Sequence, residues 1–379
     1  MSSYRIPFNR PALMGKECDY IAQAVAAGRI SGDGEFTRQC YDFFQRELGT
    51  ARALLTTSGT AALEMCALLL EIGPHDEVIV PSFSFVSANA FVLRGARPVF
   101  VDVRPDTLNL DERLLERSLS PRTRAVVAIH YAGVACEMDA LLEIAAHRGV
   151  AVVEDNAHGL FGLYRGRPLG SLGALAAQSF HETKNVTCGE GGALLINDPR
   201  YVERAEIVWE KGTDRRRFFR GQVDKYTWVD VGSSFLPSEI LAAFLWAQLE
   251  ARAEIQARRQ RIWEYYRDRL QDWAGQRQVR LPAVPGHCQQ PYHMFYLVLP
   301  SLEWRQALIR RLAGRGILAV FHYLPLHLSA MGRRFGGRAG DCPITEEVSD
   351  RLLRLPFYNH LSEAEQAEVV ECILGFDGP

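Results

Sequence analysis

Short apolar runs alternate with amphipathic segments along the first half of the chain, a pattern that predicts βα units and a largely parallel sheet. The runs are apolar along their whole length, as strands of a sheet covered on both faces should be. Helix-like segments separate several of them, including residues 59–72, 85–96 and 138–147. The strand-like runs are "ALLTT" (53–57), "EVIVP" (77–81), "RPVFVDV" (97–103), "RAVVAIH" (124–130), "VAVVED" (150–155), "ALAAQSF" (174–180) and "GALLIN" (192–197).

The second half of the chain shows a different pattern. A long, charged, amphipathic stretch over 238–273 predicts a helix that leads out of the sheet into a second unit. Strand-like "MFYLVL", helix-like "WRQALIRRLAGRG", strand-like "LAVFHY" and a final helix after Ser362 then predict a smaller α+β unit. We therefore predict an α/β protein with an N-terminal arm and large domain over residues 1–250 and a small C-terminal domain over 251–379.

Composition narrows the class of protein. The chain has 379 residues, with 43 basic and 45 acidic side chains, and this balance gives no electrostatic reason to expect a nucleic-acid partner. The N-terminal segment lacks the apolar core of a signal peptide, and no later run has the length of a membrane span. The 8 cysteines are scattered without a C-x-x-C pair, which favours reduced thiols. We expect a cytoplasmic protein with neither a nucleic acid nor a membrane as partner.

Candidate functional groups follow several predicted strands at their carboxyl ends, where an open parallel sheet binds ligands. Ser58, Gly59 and Thr60 lie between a strand and a helix, a position that suits a bound phosphate or simply a capped helix. Asp155 ends a buried strand and needs a cationic partner there. A helix cap or a buried ion pair would also explain it.

Two further candidates complete a set that one ligand could explain. Phe85 is either a core residue or the cover of a flat cofactor, and Lys184 in "SFHETKN" is either an ordinary loop lysine or a nucleophile. A phosphate site, a carboxylate for a ring nitrogen, an aromatic cover and a partly desolvated lysine are together what pyridoxal 5'-phosphate (PLP) requires. The first strand is not followed by a G-x-G-x-x-G loop, which weighs against a dinucleotide-binding dehydrogenase.

Longer segments carry a family resemblance. "TSGTAAL", "PSFSFVSANAF", "VFVDVRPDT", "VVEDNAHG", "SFHETKN", "GEGGALLIN" and "FHYLPLH" resemble, in order and spacing, segments of the sugar aminotransferases of PLP fold type I, the aspartate aminotransferase-like fold. The resemblance covers nearly the whole chain and implies a homodimer that aminates a nucleotide-linked keto sugar, with PLP as cofactor and L-glutamate as donor. Lys184 separates the chain from the related sugar 3-dehydratases, which carry histidine at that place.

The resemblance also implies roles for individual residues. Lys184 would carry the cofactor and Asp155 would pair with its ring nitrogen. Ser234 stands where many members have an asparagine that reaches the phosphate of the neighbouring subunit. The other implied cofactor contacts are His158 beside the ring, Phe85 stacked on it, and Gly59, Thr60 and Ser179 at the phosphate.

Substrate contacts follow from the same resemblance. "SGDGEFTRQC", "HYAGVACEMD" and "FFRGQVDKYTW" resemble members that aminate dTDP-4-keto-6-deoxyglucose at C4. Arg220, in a run of arginines that could also be a solvated loop, is our candidate for the diphosphate, with Tyr226 nearby in sequence. His322 and His327 would line a sugar-facing loop and not a metal site, since no acidic or thiol ligand accompanies them. The alternatives are another nucleotide keto sugar, aminated at C3 or with the gluco configuration, and a non-catalytic PLP-fold binding protein.

Overall fold

A computed structural model describes residues 4–379. The strands, in chain order, are β1 (Arg52–Thr56), β2 (Glu77–Pro81), β3 (Arg97–Val101), β4 (Thr123–Ile129), β5 (Ala151–Asp155), β6 (Leu163–Tyr164), β7 (Arg167–Pro168), β8 (Leu175–Ser179), β9 (Gly192–Ile196), β10 (Cys288–Gln289), β11 (Tyr296–Val298), β12 (Val320–Phe321) and β13 (Leu352–Arg354). The α-helices are α1 (Glu17–Ala26), α2 (Glu35–Leu48), α3 (Gly59–Leu69), α4 (Asn89–Val92), α5 (Leu115–Ser118), α6 (Met138–Arg148), α7 (Val202–Trp209), α8 (Arg215–Phe219), α9 (Glu239–Glu250), α10 (Arg252–Gln276), α11 (Leu302–Gly314), α12 (Ala330–Arg334), α13 (Pro343–Arg351) and α14 (Glu363–Leu374).

The large sheet has seven strands in the order β1-β9-β8-β5-β4-β2-β3. Strands β3, β2, β4, β5 and β8 pair in parallel, and β9 runs antiparallel to both of its neighbours, β8 and β1. Every residue of β2, β8 and β9 is buried, because helices and loops cover both faces of the sheet. The predicted mainly parallel α/β fold is confirmed.

A second, smaller sheet has the antiparallel order β11-β13-β12. Its inner face packs with α10, α11 and α14 in a core that includes Trp263, Phe295 and Leu353. A separate apolar cluster lies between the two sheets, with Phe83 and Tyr131 from one side and Leu352 from the other. The two sheets therefore meet at the carboxyl edge of the large one, since Phe83 and Tyr131 follow β2 and β4.

The change from one core to the other occurs inside α10, where Ile255 packs with the large-sheet core and Ile262 with the small-sheet core. The domain division at residues 250 and 251 stays a prediction. The N-terminal arm was predicted with the large domain, but Ile6 is buried in the small-sheet core and its backbone bridges Ile317. The arm thus packs against the small-sheet core, because Ile6 is buried in it.

Two predicted helices differ from the structure. Residues 85–96 form only a 3-10 turn (Val86–Ala88) and the short α4, because this segment turns Ser87 toward Asp155 at the sheet edge. The stretch 238–273 is two helices, α9 and α10, whose buried faces belong largely to different cores. Among the helices of residues 4–379, none combines the length and the apolar character that crossing a membrane requires.

Candidate active site

The start of α3 and the end of β8 form a small cradle. Ser58 caps the helix, because its Oγ accepts a hydrogen bond from the backbone N–H of Ala61 at 3.0 Å. The N–H groups of Gly59 and Thr60 belong to the first turn, which has no acceptor within a helix. A Cβ on Gly59 would lie only 2.9 Å from Cβ of Ser179, so glycine allows this close approach. Free N–H groups, a helix dipole and a hydroxyl thus converge where an anion such as phosphate fits.

Asp155 is a buried carboxylate at the end of β5, next to β8 in the sheet. The hydroxyl of Ser87 donates to its Oδ2 at 2.6 Å, and the backbone N–H of Ala157 donates to its Oδ1 at 3.1 Å. Both donors hold the carboxylate in one orientation. The carboxylate is therefore positioned to pair with a protonated ring nitrogen.

Lys184 lies in the loop that joins the antiparallel strands β8 and β9. Ser179 pairs with Gly192 at the mouth of this loop, and the backbone N–H of Lys184 donates to the carbonyl of His181 at 2.9 Å. The side chain is half-buried, and this burial lowers the pKa of Lys184 to about 8, while the charge of Asp155 acts in the opposite direction. A nucleophilic amine is thus available near neutral pH.

His158 is held by a second histidine. Its ring stacks on His293 at a centroid distance of 4.1 Å, and Nδ1 of His293 lies 2.8 Å from Oδ1 of Asn185, directly after Lys184. Burial places the pKa of both histidines well below the usual value, so both rings are neutral. Nδ1 of His158 is buried and has no partner within residues 4–379, which leaves a polar atom for a bound group to satisfy.

Phe85 and Ser234 lie at the surface. The ring of Phe85 is 68% exposed beside Tyr323, at a centroid distance of 6.1 Å, and its stacking on a cofactor stays a prediction. Ser234 is exposed, and its backbone bridges Glu210. The predicted contact of Ser234 with a neighbouring subunit stays a prediction.

The predicted diphosphate ligand Arg220 already has a partner. Its Nη1 lies 2.6 Å from Oε2 of Glu206, a buried carboxylate that also pairs with Arg52 and Arg216. The charge of Arg220 is therefore compensated, and a diphosphate would have to compete with Glu206. Tyr226 is 51% exposed in the same surface segment.

The two histidines of "FHYLPLH" have different surroundings. His322 is buried, with Nδ1 2.9 Å from the hydroxyl of Tyr131, and burial lowers its pKa as it does for His158. His327 is fully buried, with Ser82 2.6 Å from Nδ1 and Glu346 2.9 Å from Nε2. Both ring nitrogens of His327 thus have partners within the protein, and neither is left for a sugar hydroxyl. This differs from the predicted sugar-facing position, because the ring connects the loop after β2 to α13.

Sequence reasoning missed several side chains of the site. Ser87 could have been found, because it lies two residues after Phe85 in the same strand-end segment. Asn185 and His293 carry no such signal, since they meet only when residues 108 positions apart come together. Arg354, whose charge contributes to lowering the pKa of Lys184, interrupts the apolar run "LLRLP", and a charge inside an apolar run is a detectable signal.

These features fit PLP. The cradle at Gly59 and Ser179 would receive the phosphate, Asp155 the ring nitrogen, and Lys184 the aldehyde carbon. The unsatisfied Nδ1 of His158 and the exposed ring of Phe85 would meet the substituents and the face of the ring. The fold and the site together define a PLP-dependent aminotransferase of fold type I.

Comparison with known proteins gives the family. The chain belongs to the DegT/DnrJ/EryC1/StrS aminotransferase family, whose sequence model matches residues 11–374. It is 33% identical to GDP-perosamine synthase of Caulobacter vibrioides over 97% of each chain. It also resembles the crystal structure of the aminotransferase TlmJ from Streptoalloteichus hindustanus (32% identity, TM-score 0.88, 97% of each chain). The PLP form of Spr1654 from Streptococcus pneumoniae is similar too (27% identity, TM-score 0.90, 98% of each chain), and Spr1654 also has a PMP form.

The chain is thus a sugar aminotransferase with PLP as cofactor. When bound, PLP supplies an aldehyde that bonds to a primary amine and a protonated pyridine ring that accepts the electron pair left at the deprotonated carbon. Lys184 would provide the amine that holds the cofactor, and the same amine, once free, would move the proton at the substrate carbon. Asp155 would keep the proton on the ring nitrogen, and the cradle at Gly59 and Ser179 would hold the phosphate end.

The depressed pKa of Lys184 predicts a pH dependence of cofactor capture. Only the unprotonated amine attacks an aldehyde, so the rate at which the apoenzyme captures PLP should rise about tenfold per pH unit below the pKa of about 8 and level off above it. Stopped-flow absorbance between pH 6 and 10 measures this rate. A rate that keeps rising beyond pH 9.5 would show that burial does not depress this pKa.

Proposed function

We propose that the chain aminates C4 of dTDP-4-keto-6-deoxy-D-glucose with L-glutamate as donor, which gives dTDP-4-amino-4,6-dideoxy-D-galactose and 2-oxoglutarate. The observation that supports transamination is the desolvated amine of Lys184 near the charge of Asp155. The choice of sugar rests on the segments "SGDGEFTRQC", "HYAGVACEMD" and "FFRGQVDKYTW", which resemble the dTDP-4-amino-4,6-dideoxygalactose transaminase of enterobacterial common antigen synthesis. A cytoplasmic role in making a cell-surface polysaccharide would follow.

The proposal includes a homodimer. Apolar side chains cluster on the exposed segment between Lys211 and Ser234, where Phe219 is 67% and Trp228 is 76% exposed. Exposed aromatic side chains clustered in one segment favour an interaction surface. A second copy of the chain would cover them and place Ser234 and Tyr226 near its own site.

A second candidate acceptor has a specific observation in its favour. The relative from Caulobacter is named as a GDP-perosamine synthase, at 33% identity. A GDP-linked keto sugar is therefore the alternative substrate, with the gluco configuration at C4 or amination at C3 as the other variants of this chemistry.

The test is product analysis. Purified enzyme, L-glutamate and dTDP-4-keto-6-deoxyglucose should give an amino sugar with a small H3–H4 coupling in its proton NMR spectrum, because the galacto product carries an axial C4 amine. A large coupling would identify the gluco epimer. Faster turnover of the GDP-linked keto sugar under the same conditions would favour the alternative acceptor. A bound cofactor whose absorbance does not respond to glutamate would favour a non-catalytic binding protein.

A further inference from the structure

The side-chain amide of Asn185, the residue after Lys184, holds the ring of His293. Its Nδ2 donates to the carbonyl of Pro291 at 2.6 Å, and its Oδ1 lies 2.8 Å from Nδ1 of His293. A backbone carbonyl only accepts hydrogen bonds, so the contact with Pro291 fixes which end of the amide faces the histidine. The amide oxygen also only accepts, and Nδ1 of His293 therefore carries a proton.

An uncharged acceptor suits the surroundings of His293. Burial is the main cause that holds the pKa of His293 well below its usual value, and four basic side chains act in the same direction. They are His158 after β5, Lys184 after β8, Arg259 of α10 and Arg354 of β13. The ring is thus neutral, with its proton on Nδ1 and a lone pair on Nε2. A carboxylate in place of the Asn185 amide would instead favour a second proton on this ring.

Arg259 of α10 holds the backbone of the same segment from the other side. Its buried guanidinium donates to the carbonyls of Tyr292 and His293 at 2.9 and 2.6 Å. It also donates to Oδ1 of Asn359 at 2.9 Å, and Nδ2 of Asn359 donates to the backbone carbonyl of Asn185 at 3.5 Å. His293 is thus fixed between α10 and the loop that joins β8 to β9.

The ring of His293 in turn restrains the ring of His158. The two rings are stacked at a centroid distance of 4.1 Å, with an angle of 17° between their planes. Within residues 4–379 no hydrogen bond holds Nδ1 of His158, although this atom is buried. Stacking against His293 therefore restrains the direction in which Nδ1 of His158 points into the site.

We infer that Asn185 is a positioning residue for transamination: its amide fixes the proton and the plane of the His293 ring, and the stacked pair orients His158 in the site. Asn185 acts through His293 and not by contact with a substrate. Because Asn185 directly follows Lys184, the same side chain also joins the loop of the nucleophile to the segment before β11. The inference depends on the aminotransferase site and not on the sugar or the donor proposed above.

The first test follows two signals of the PLP-loaded enzyme without substrate. The nitrogen NMR signals of the histidine rings, assigned with His293→Gln, should show His293 neutral and protonated on Nδ1 in the wild type. Asn185→Ala should lose this preference. The visible circular dichroism of bound PLP, which depends on how the site orients the ring, should fall at least about twofold at equal cofactor content. Asn185→Asp keeps an acceptor at the same place, so it should keep the proton on Nδ1 and most of the dichroism.

Steady-state kinetics separate positioning from binding. Asn185→Ala should lower kcat about 10- to 100-fold and leave the KM for each substrate within about threefold, because misplaced groups slow the reaction without weakening binding. Asn197→Ala is the matched control, since this amide also donates to two carbonyls, those of Gly170 and Gly173. Asn197 follows the end of β9 that pairs with the start of β8, at the edge of the sheet opposite the site. The control should change neither the dichroism nor kcat.

Two outcomes overturn the inference. One is a wild-type His293 that carries its proton on Nε2. The other is Asn185→Ala with the dichroism and kcat of the wild type, and a lower melting temperature alone would then show a purely structural role. The spectroscopic signals need neither substrate, so an error in the proposed sugar or donor leaves them readable.

A second variant tests the same support if Asn185→Ala does not fold. In Arg259→Lys, the lysine keeps the charge but cannot hold two carbonyls and Asn359 in the geometry of a guanidinium. The dichroism and kcat should therefore fall in the same direction as expected for Asn185→Ala, and unchanged values would overturn the inference. Arg261→Lys, at an exposed position of the same helix, is the control.

Discussion

Lys184→Ala should abolish transamination, with a loss of at least about 10⁴-fold, because one side chain both holds the cofactor covalently and moves the proton. The purified variant should also lack the visible absorbance of covalently held PLP. With both proteins free of PLP, its thermal stability should not be below that of the wild type, since burial disfavours the charged amine that the substitution removes. Absorbance spectra, a coupled assay for 2-oxoglutarate and a thermal melt measure the three properties.

The matched control is Lys16→Ala, which removes a surface lysine paired with Glu250 at 3.3 Å. An exposed pair of this kind contributes little to stability, so cofactor content and rate should equal those of the wild type. Residual turnover in Lys184→Ala above a few per cent would mean that another group carries the proton, and the assignment of Lys184 would have to be abandoned.

Asp155→Asn should keep PLP in the site but lower the rate about 100-fold, which corresponds to about 2.7 kcal/mol in the activation barrier. The amide preserves the shape of the side chain and can still accept from Ala157, but it cannot stabilise a proton on the ring nitrogen. The substitution should also change the pH dependence of PLP capture. Because the charge of Asp155 raises the pKa of Lys184, the pH midpoint of PLP capture should move to lower pH in the variant.

Single-turnover kinetics with glutamate and the pH profile of capture measure these two effects separately. Asp139→Asn is the control, since Asp139 pairs with Arg165 and Arg167 at the surface. A full rate in Asp155→Asn would remove Asp155 from the chemistry, even if the midpoint moved as expected.

The part of the site that lies at strand ends could be predicted from sequence. Uniformly apolar strands predict a sheet covered on both faces, and the carboxyl ends of parallel strands share one edge. Ser58, Asp155 and Ser179 each end or follow such a strand, so their convergence follows from the topology. The position of Lys184 could be predicted for a similar reason, since it lies in the loop between two strands that are neighbours in the chain and in the sheet.

Other features depend on which distant segments meet and could not be predicted in this way. The stacking of His293 on His158 joins segments that lie far apart in the chain, and the pairing of Arg220 with Glu206 depends on how α7 packs against α8. The burial of His327 follows from its two partners, Ser82 and Glu346, which lie in different parts of the chain. Hydrophobic periodicity carries no information about such pairs.

The hairpin that carries Lys184 has a consequence for the order of folding. Strands β8 and β9 are neighbours in the chain, so closing the loop between them loses little chain entropy, whereas the parallel pairs need long crossover connections. The loop that carries Lys184 can therefore form early in a newly made chain, whereas the cradle at Gly59 forms only when α3 packs against β8. Tight binding of PLP needs both parts of the site, so only chains that have formed these last long-range contacts would retain the cofactor.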